Sequence, residues 1–169
     1  MTDGDDAGGS YRGLFGAFPY AFRRSDSLLF RSYVVVGGVA ALLLTVLFAL
    51  ALVTLFGATA GARFSVARAF FFLVGLAAVG PTVTPVLLVA RSHRRGSSRR
   101  DGYDAALAAA GYLFLASLYL GAVTAAPPSL RSPATGPVVA ALYDLPSIAA
   151  LAFPVAGSAL IWAAHRLRR

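Results

Sequence analysis

Residues 33–56 read YVVVGGVAALLLTVLFALALVTLF, and no position from Tyr33 to Phe56 carries a charge. A helix of this length reaches roughly 36 Å at about 1.5 Å per residue, enough to cross about 30 Å of hydrocarbon with some tilt. A surface helix of a soluble protein would pair an apolar stripe with a charged face. Here no face is suited to water, so lipid is the solvent that matches it.

Three more runs of this kind follow. Residues 69–90 and 105–126 carry no charge within the apolar stretch, and Pro127-Pro128 closes the second of them. The fourth, Pro137 to His165, is too long for one upright helix and must divide. Asp144-Leu145-Pro146 has the form of a helix start, with Asp144 as N-cap and proline in the first turn. That leaves residues 136–143 as a short interfacial piece and predicts the last span at 145–164, with Trp162 in the aromatic belt. Composition agrees: of 169 residues, 58% are hydrophobic and 13% charged, and the mean hydropathy of +0.72 is far from that of an average soluble domain.

Two other parts precede the first span. Residues 1–9, MTDGDDAGG, are acidic and glycine-rich and predict a disordered tail. They lack the positive start and short apolar core of a cleavable signal, so the first span is expected to direct its own insertion. In residues 10–24, SYRGLFGAFPYAFRR, the side chains of Tyr11, Leu14, Phe15, Phe18, Ala21 and Phe22 fall on one helical stripe, with Arg12 and Arg23 opposite. This predicts an amphipathic helix in the membrane interface, capped by Ser10 and weakened by Pro19; the other reading is an aromatic segment packed on the bundle. The remainder, 25–169, is expected to form a single membrane domain. The predicted fold class is all-α: a four-span transmembrane helical bundle with an N-terminal interfacial amphipathic helix.

The net charge of +8 is informative by position. Arg12, Arg23, Arg24 and Arg31, then Arg91, Arg94, Arg95, Arg99 and Arg100, then Arg166, Arg168 and Arg169 fall on one side of the four spans. Only Arg63, Arg68 and Arg131 fall on the other. Short loops biased in this way predict a cell-membrane protein with both termini cytoplasmic. The densest stretch, RSHRRGSSRRDGYD at 91–104, would suggest nucleic-acid binding in a soluble domain, but it lacks aromatic platforms and room for a docking fold. Attraction to anionic headgroups is the more economical use of these arginines, and no nucleic-acid partner is expected.

Two stripes of small residues predict close helix packing, which in lipid depends on how near two backbones can come. Ala106, Ala110, Ser117, Gly121 and Thr124 lie within about 60° on the third span, and Ala149, Ala152, Ala156, Ala159 and Ala163 form a candidate partner on the fourth. The second span contains GPTVTP at 80–85. Pro81 and Pro85 are expected to break its backbone, with freed carbonyls satisfied by Thr82, Thr84 or a neighbouring helix. A broken helix is the one feature that suggests transport.

Few groups suit catalysis. With no cysteine there are no disulfides, thiolate sites or cysteine nucleophiles. His93 and His165 are distant in sequence, flanked by arginines and without nearby Cys or Glu, so neither a metal nor a cofactor is expected. Ser117 and Ser158 have no histidine at the same depth to act as base. Asp144, at the boundary of a span, is either a cap or an outward-facing cation or proton site with Tyr143. Asp101-Gly-Tyr-Asp-Ala105 resembles the aspartate-glycine opening of membrane phosphatidyl-alcohol transferases, but that family's following arginine and later aspartate pair are missing.

Every Lys/Arg position is Arg and every acidic one is Asp, a narrow alphabet of the kind a GC-rich genome produces. With YRGLFGAFPYAFRRSDS (11–27), RSYVVVGG (31–38), TPVLLVAR (84–91) and AGYLFLASLYLG (110–121), nearly the whole chain resembles a group of uncharacterised small multi-span proteins of halophilic archaea. The resemblance implies a source, a span number and a membrane location, and no activity. The expected function is therefore that of a non-enzymatic accessory or structural bundle acting through lipid, another membrane protein or a second copy. The alternative is a small oligomeric transporter or channel using Pro81, Thr82, Thr84 and Pro85.

Overall fold

A computed structural model describes residues 13–58, 66–96, 101–131 and 136–168. Among the described residues every regular element is helical: α1 (Gly13–Arg24), α2 (Leu28–Ala58), α3 (Val66–Arg94), α4 (Tyr103–Thr124), α5 (Pro137–Tyr143) and α6 (Ala152–Arg168), with short 3-10 turns at Pro128–Leu130 and Ser147–Leu151. Four of the described stretches are long and apolar enough to cross a membrane: Leu28–Gly57, Arg68–Arg94, Tyr103–Thr124 and Ser147–Arg168. The acidic tail 1–9, Ser10, Tyr11, Arg12, Arg63, Arg99, Arg100 and Arg169 lie outside the described residues.

The apolar runs predicted the helices but not their ends. α2 begins before Arg31, while α3 and α6 run past Arg91 and Arg166. A charge ends a lipid-compatible stretch, yet arginine is a good helix former and, in the last turns of α3 and α6, is favoured by the negative end of the helix dipole. Helix starts and stops follow capping chemistry instead. Ser27 caps α2, its Oγ accepting from the Phe30 N–H at 3.3 Å. After α3 the chain turns at Gly96, whose φ of 59° is left-handed and suited to a glycine just beyond a helix.

α1 is a helix despite Pro19 and packs on the bundle, contacting α3 and α2. Its small residues face inward, with Ala17 and Ala21 fully buried and Phe18 and Phe22 half-buried beside them. The bundle core sits at the same end. Phe30 and Tyr33 from the start of α2 meet Val86 and Val89 from the end of α3, Leu107 and Phe114 of α4, and Ile161 of α6. Toward the opposite end, α2 and α3 remain a pair, the Phe48 and Phe71 rings 5.4 Å apart. Many of their other side chains there are exposed.

Three expectations need correction. First, α3 is not broken: it runs as one helix through Pro81 and Pro85. Tyr33 of α2 donates its hydroxyl to the Thr82 carbonyl at 2.7 Å, in the turn before Pro85. Thr82 and Thr84 bond the carbonyls of Ala78 and Gly80. These bonds go to the carbonyls of residues 78, 80 and 82, next to those of Ala77 and Pro81, which the two prolines leave without their usual N–H donor.

Second, Asp144 is the C-cap of α5 and does not start the next helix. Leu145 precedes Pro146, and a residue before proline is disfavoured in the helical conformation. The next turn therefore starts at Ser147, with Pro146 in the cap position. α5 itself coincides with the short piece expected at 136–143.

Third, the α4 stripe is buried at Ala110, Ser117, Gly121 and Thr124, with Ala106 half-buried, but its partner is another face of α6. Ala152, Ala156 and Ala159 are exposed, whereas Gly157 and Ile161 are buried. The buried face lies roughly 150° round the helix from the expected alanines. Glycine decides the contact: a Cβ at Gly157 would stand 2.5 Å from Ser117 Oγ, and one at Gly121 2.8 Å from the Ala150 carbonyl oxygen.

Candidate functional site

Antiparallel packing brings four chain segments to the core end: the α1–α2 turn, the end of α3, the start of α4 and the end of α6. Their polar side chains meet there. Ser25, only 3% exposed, donates from Oγ to Asp104 Oδ2 at 2.7 Å. His93 Nε2 lies 3.0 Å from the same oxygen. Asp104 occupies the first turn of α4, where the positive end of the helix dipole favours a carboxylate. One carboxylate oxygen thus ties two elements to a third.

A second tie lies beside it. Tyr103, nearly buried, has its hydroxyl 2.8 Å from His165 Nδ1, and the two rings meet edge to face at 6.0 Å. Arg168 Nη1 donates to the Asp101 carbonyl at 3.3 Å. Between them Gly102 has a φ of 78°, a left-handed turn that glycine adopts without strain. Each residue of Asp101-Gly-Tyr-Asp104 therefore has a structural use, independent of the partial likeness to a transferase motif.

This geometry limits the chemistry. In a nucleophilic triad the histidine stands between hydroxyl and carboxylate. Here Ser25 and His93 both address Asp104, and Ser25 spends its proton on that oxygen. Among the described residues no group of three His, Asp or other metal-ligating side chains converges on one point. The arrangement is suited to holding helix ends in register.

The basic residues cluster around it. Arg23, Arg24, Arg31, Arg91, Arg94, Arg95, Arg166 and Arg168 belong to helix ends or turns at the core end and are exposed. Several lie over aromatic rings: Arg31 on Phe22 at 4.5 Å, Arg24 on Tyr20 at 5.9 Å, and Arg166 on Trp162 at 5.1 Å. Arg68 and Arg131 are at the opposite end. Arg131 donates to the carbonyls of Ala126 and Tyr143 at 3.0 and 3.1 Å, linking α4 to α5. Asp144 is exposed at that end. Pro81 and Thr84 are half-buried, and Thr82 and Pro85 are buried.

Sequence reasoning missed the joining of His93 to Asp104 and of His165 to Tyr103. Distance along the chain concealed both. The available signal was topological, because folding successive long helices back on one another brings residues 25, 93, 104 and 165 to a common face.

The structure defines a helical bundle with four helices fit to cross a membrane and a polar tie at one end. Residues 1–169 match the family described as a domain of unknown function, DUF8056, and the chain belongs to that family. No curated protein and no solved structure matches it.

Proposed function

We propose that this protein is a non-enzymatic, multi-pass protein of the cell membrane, an accessory or structural subunit that works through contact with lipid and with another membrane protein or a second copy. The observation that carries this reading is the part of the α2–α3 hairpin remote from the polar ties. Leu43, Leu47, Leu50 and Val53 on α2 and Phe70 and Leu73 on α3 are exposed. Such a surface is matched by hydrocarbon or by apolar protein.

The orientation we propose places both termini in the cytoplasm. It is supported by eight described arginines at the core end, Arg23, Arg24, Arg31, Arg91, Arg94, Arg95, Arg166 and Arg168, against Arg68 and Arg131 at the other. An origin in halophilic archaea fits the restricted Arg and Asp alphabet. The transport alternative depended on a broken α3, and the continuous helix removes its main support.

Crosslinking in native membranes, followed by purification in mild detergent, tests the contact role. A second copy or another membrane protein should accompany the chain. Recovery as a lone, uncrosslinked monomer would overturn it.

A further inference from the structure

Between α3 and α6 runs a groove of about 260 Å³, lined by Pro81, Thr84, Leu88, Ser158, Trp162 and His165 among others. Its walls are more apolar than these names suggest. Thr84 donates its hydroxyl proton to the Gly80 carbonyl at 2.8 Å, and Ser158 does the same to Pro154 at 2.8 Å. Both hydroxyls are thereby turned to their own helices, leaving a surface that fits hydrocarbon better than water or ions.

The ends of the groove differ. On α3 the lining positions 81, 84 and 88 continue at helical spacing to Arg91. On α6 positions 158, 162 and 165 continue to Arg168, and Arg166 lies over the ring of Trp162, which lines the groove. Arg91, Arg166 and Arg168 are all exposed. An apolar groove lined by a tryptophan and directed by helical spacing toward three exposed arginines, one of them over that tryptophan, complements an amphiphile with an anionic head.

We infer that the α3–α6 groove is a binding site for an anionic phospholipid, with one acyl chain along Pro81, Thr84, Leu88 and Ser158 and the phosphate at Arg91, Arg166 and Arg168. This deepens the proposal of a lipid-contacting bundle and rests on it. The site differs from general attraction to a charged surface because it requires both the apolar groove and these particular arginines.

Native mass spectrometry of the full chain released from vesicles of equal phosphatidylglycerol and phosphatidylcholine tests the site. One phosphatidylglycerol should remain bound through detergent release in preference to phosphatidylcholine. Changing Arg91, Arg166 and Arg168 together to Gln should weaken retention about tenfold or more. Changing Arg23, Arg24 and Arg94 to Gln removes the same charge and should leave it intact. Ser158→Leu, which fills the groove without touching charge, should also release the lipid, and near-native melting verifies that all three variants are folded. Equal losses from the two arginine sets, or no lipid retained by the unmodified chain, would overturn the inference. A chain that inserts and keeps its protein partners but retains no lipid overturns the groove alone, leaving the contact role standing.

Discussion

The ring of Tyr33 fills the space where a side chain at Gly111 would have to go, so α2 meets α4 with an aromatic face against bare backbone. The same residue donates its hydroxyl to the Thr82 carbonyl on α3. Three helices are thus joined through one side chain, at a level where α3 carries two prolines.

Gly111→Ala should therefore be more harmful than its size suggests. Its methyl overlaps the Tyr33 ring, and moving the ring takes the hydroxyl away from Thr82. Overpacking of this kind costs about 1–3 kcal/mol. Tyr33→Phe keeps the ring and loses only the hydrogen bond, for which about 0.6 kcal/mol is the usual scale inside a membrane protein. Thermal melts in a fixed detergent should rank wild type above Tyr33→Phe and Tyr33→Phe above Gly111→Ala; an unaffected Gly111→Ala would mean the two helices are farther apart.

A second pair of substitutions separates the two faces of α6. Gly157→Ala places a methyl against Ser117 and Phe114 and should lower the melting temperature. Ala156→Leu points away from α4, on an exposed face, and should leave the melting of the monomer within about 0.5 kcal/mol of wild type. Loss of fold in Ala156→Leu, with Gly157→Ala unaffected, would restore the alanine stripe as the intramolecular seam.

The polar ties make a prediction about a side chain with two partners. Asp104→Ala leaves the buried Ser25 hydroxyl and the His93 ring without their shared acceptor. An unsatisfied buried polar group costs about 1–3 kcal/mol. Asp104→Asn retains an acceptor oxygen and should recover part of that loss. In a double-mutant cycle, His93→Ala and Asp104→Ala should be non-additive by more than about 0.5 kcal/mol. Additive losses would show that the contact does not couple α3 to α4.

These comparisons also show which levels of structure were legible in sequence. The long apolar helices were readable because an unbroken charge-free run needs no partner to be seen, as from Tyr33 to Phe56. The seam between α4 and α6 was not, because alanines occur on several sides of α6 and only the single glycine of that helix, Gly157, permits the closest approach. Small size alone does not reveal which face another backbone will meet. The polar ties were unreadable for a different reason: His93 and Asp104 become neighbours only after α3 and α4 have been folded back on each other. The start after Asp144 was legible in principle, since Pro146 restricts Leu145 more strongly than an aspartate cap favours it.

Orientation can be tested on the same framework, using the absence of cysteine for clean single-site labelling. Arg95 lies just past α3 at the core end, and Ser129 lies in the 3-10 turn after α4 at the opposite end; both are exposed. With the arginine-rich end cytoplasmic, Arg95→Cys should react with an impermeant maleimide only in opened cells and Ser129→Cys in intact ones. The reverse pattern would invert the proposed topology. Adding Arg91→Gln and Arg94→Gln to the Ser129→Cys variant removes cations that should favour cytoplasmic retention, so its labelling in intact cells should fall as a fraction of chains inserts inverted. Unchanged labelling would assign orientation to the remaining arginines, leaving Arg91 and Arg94 no topological role.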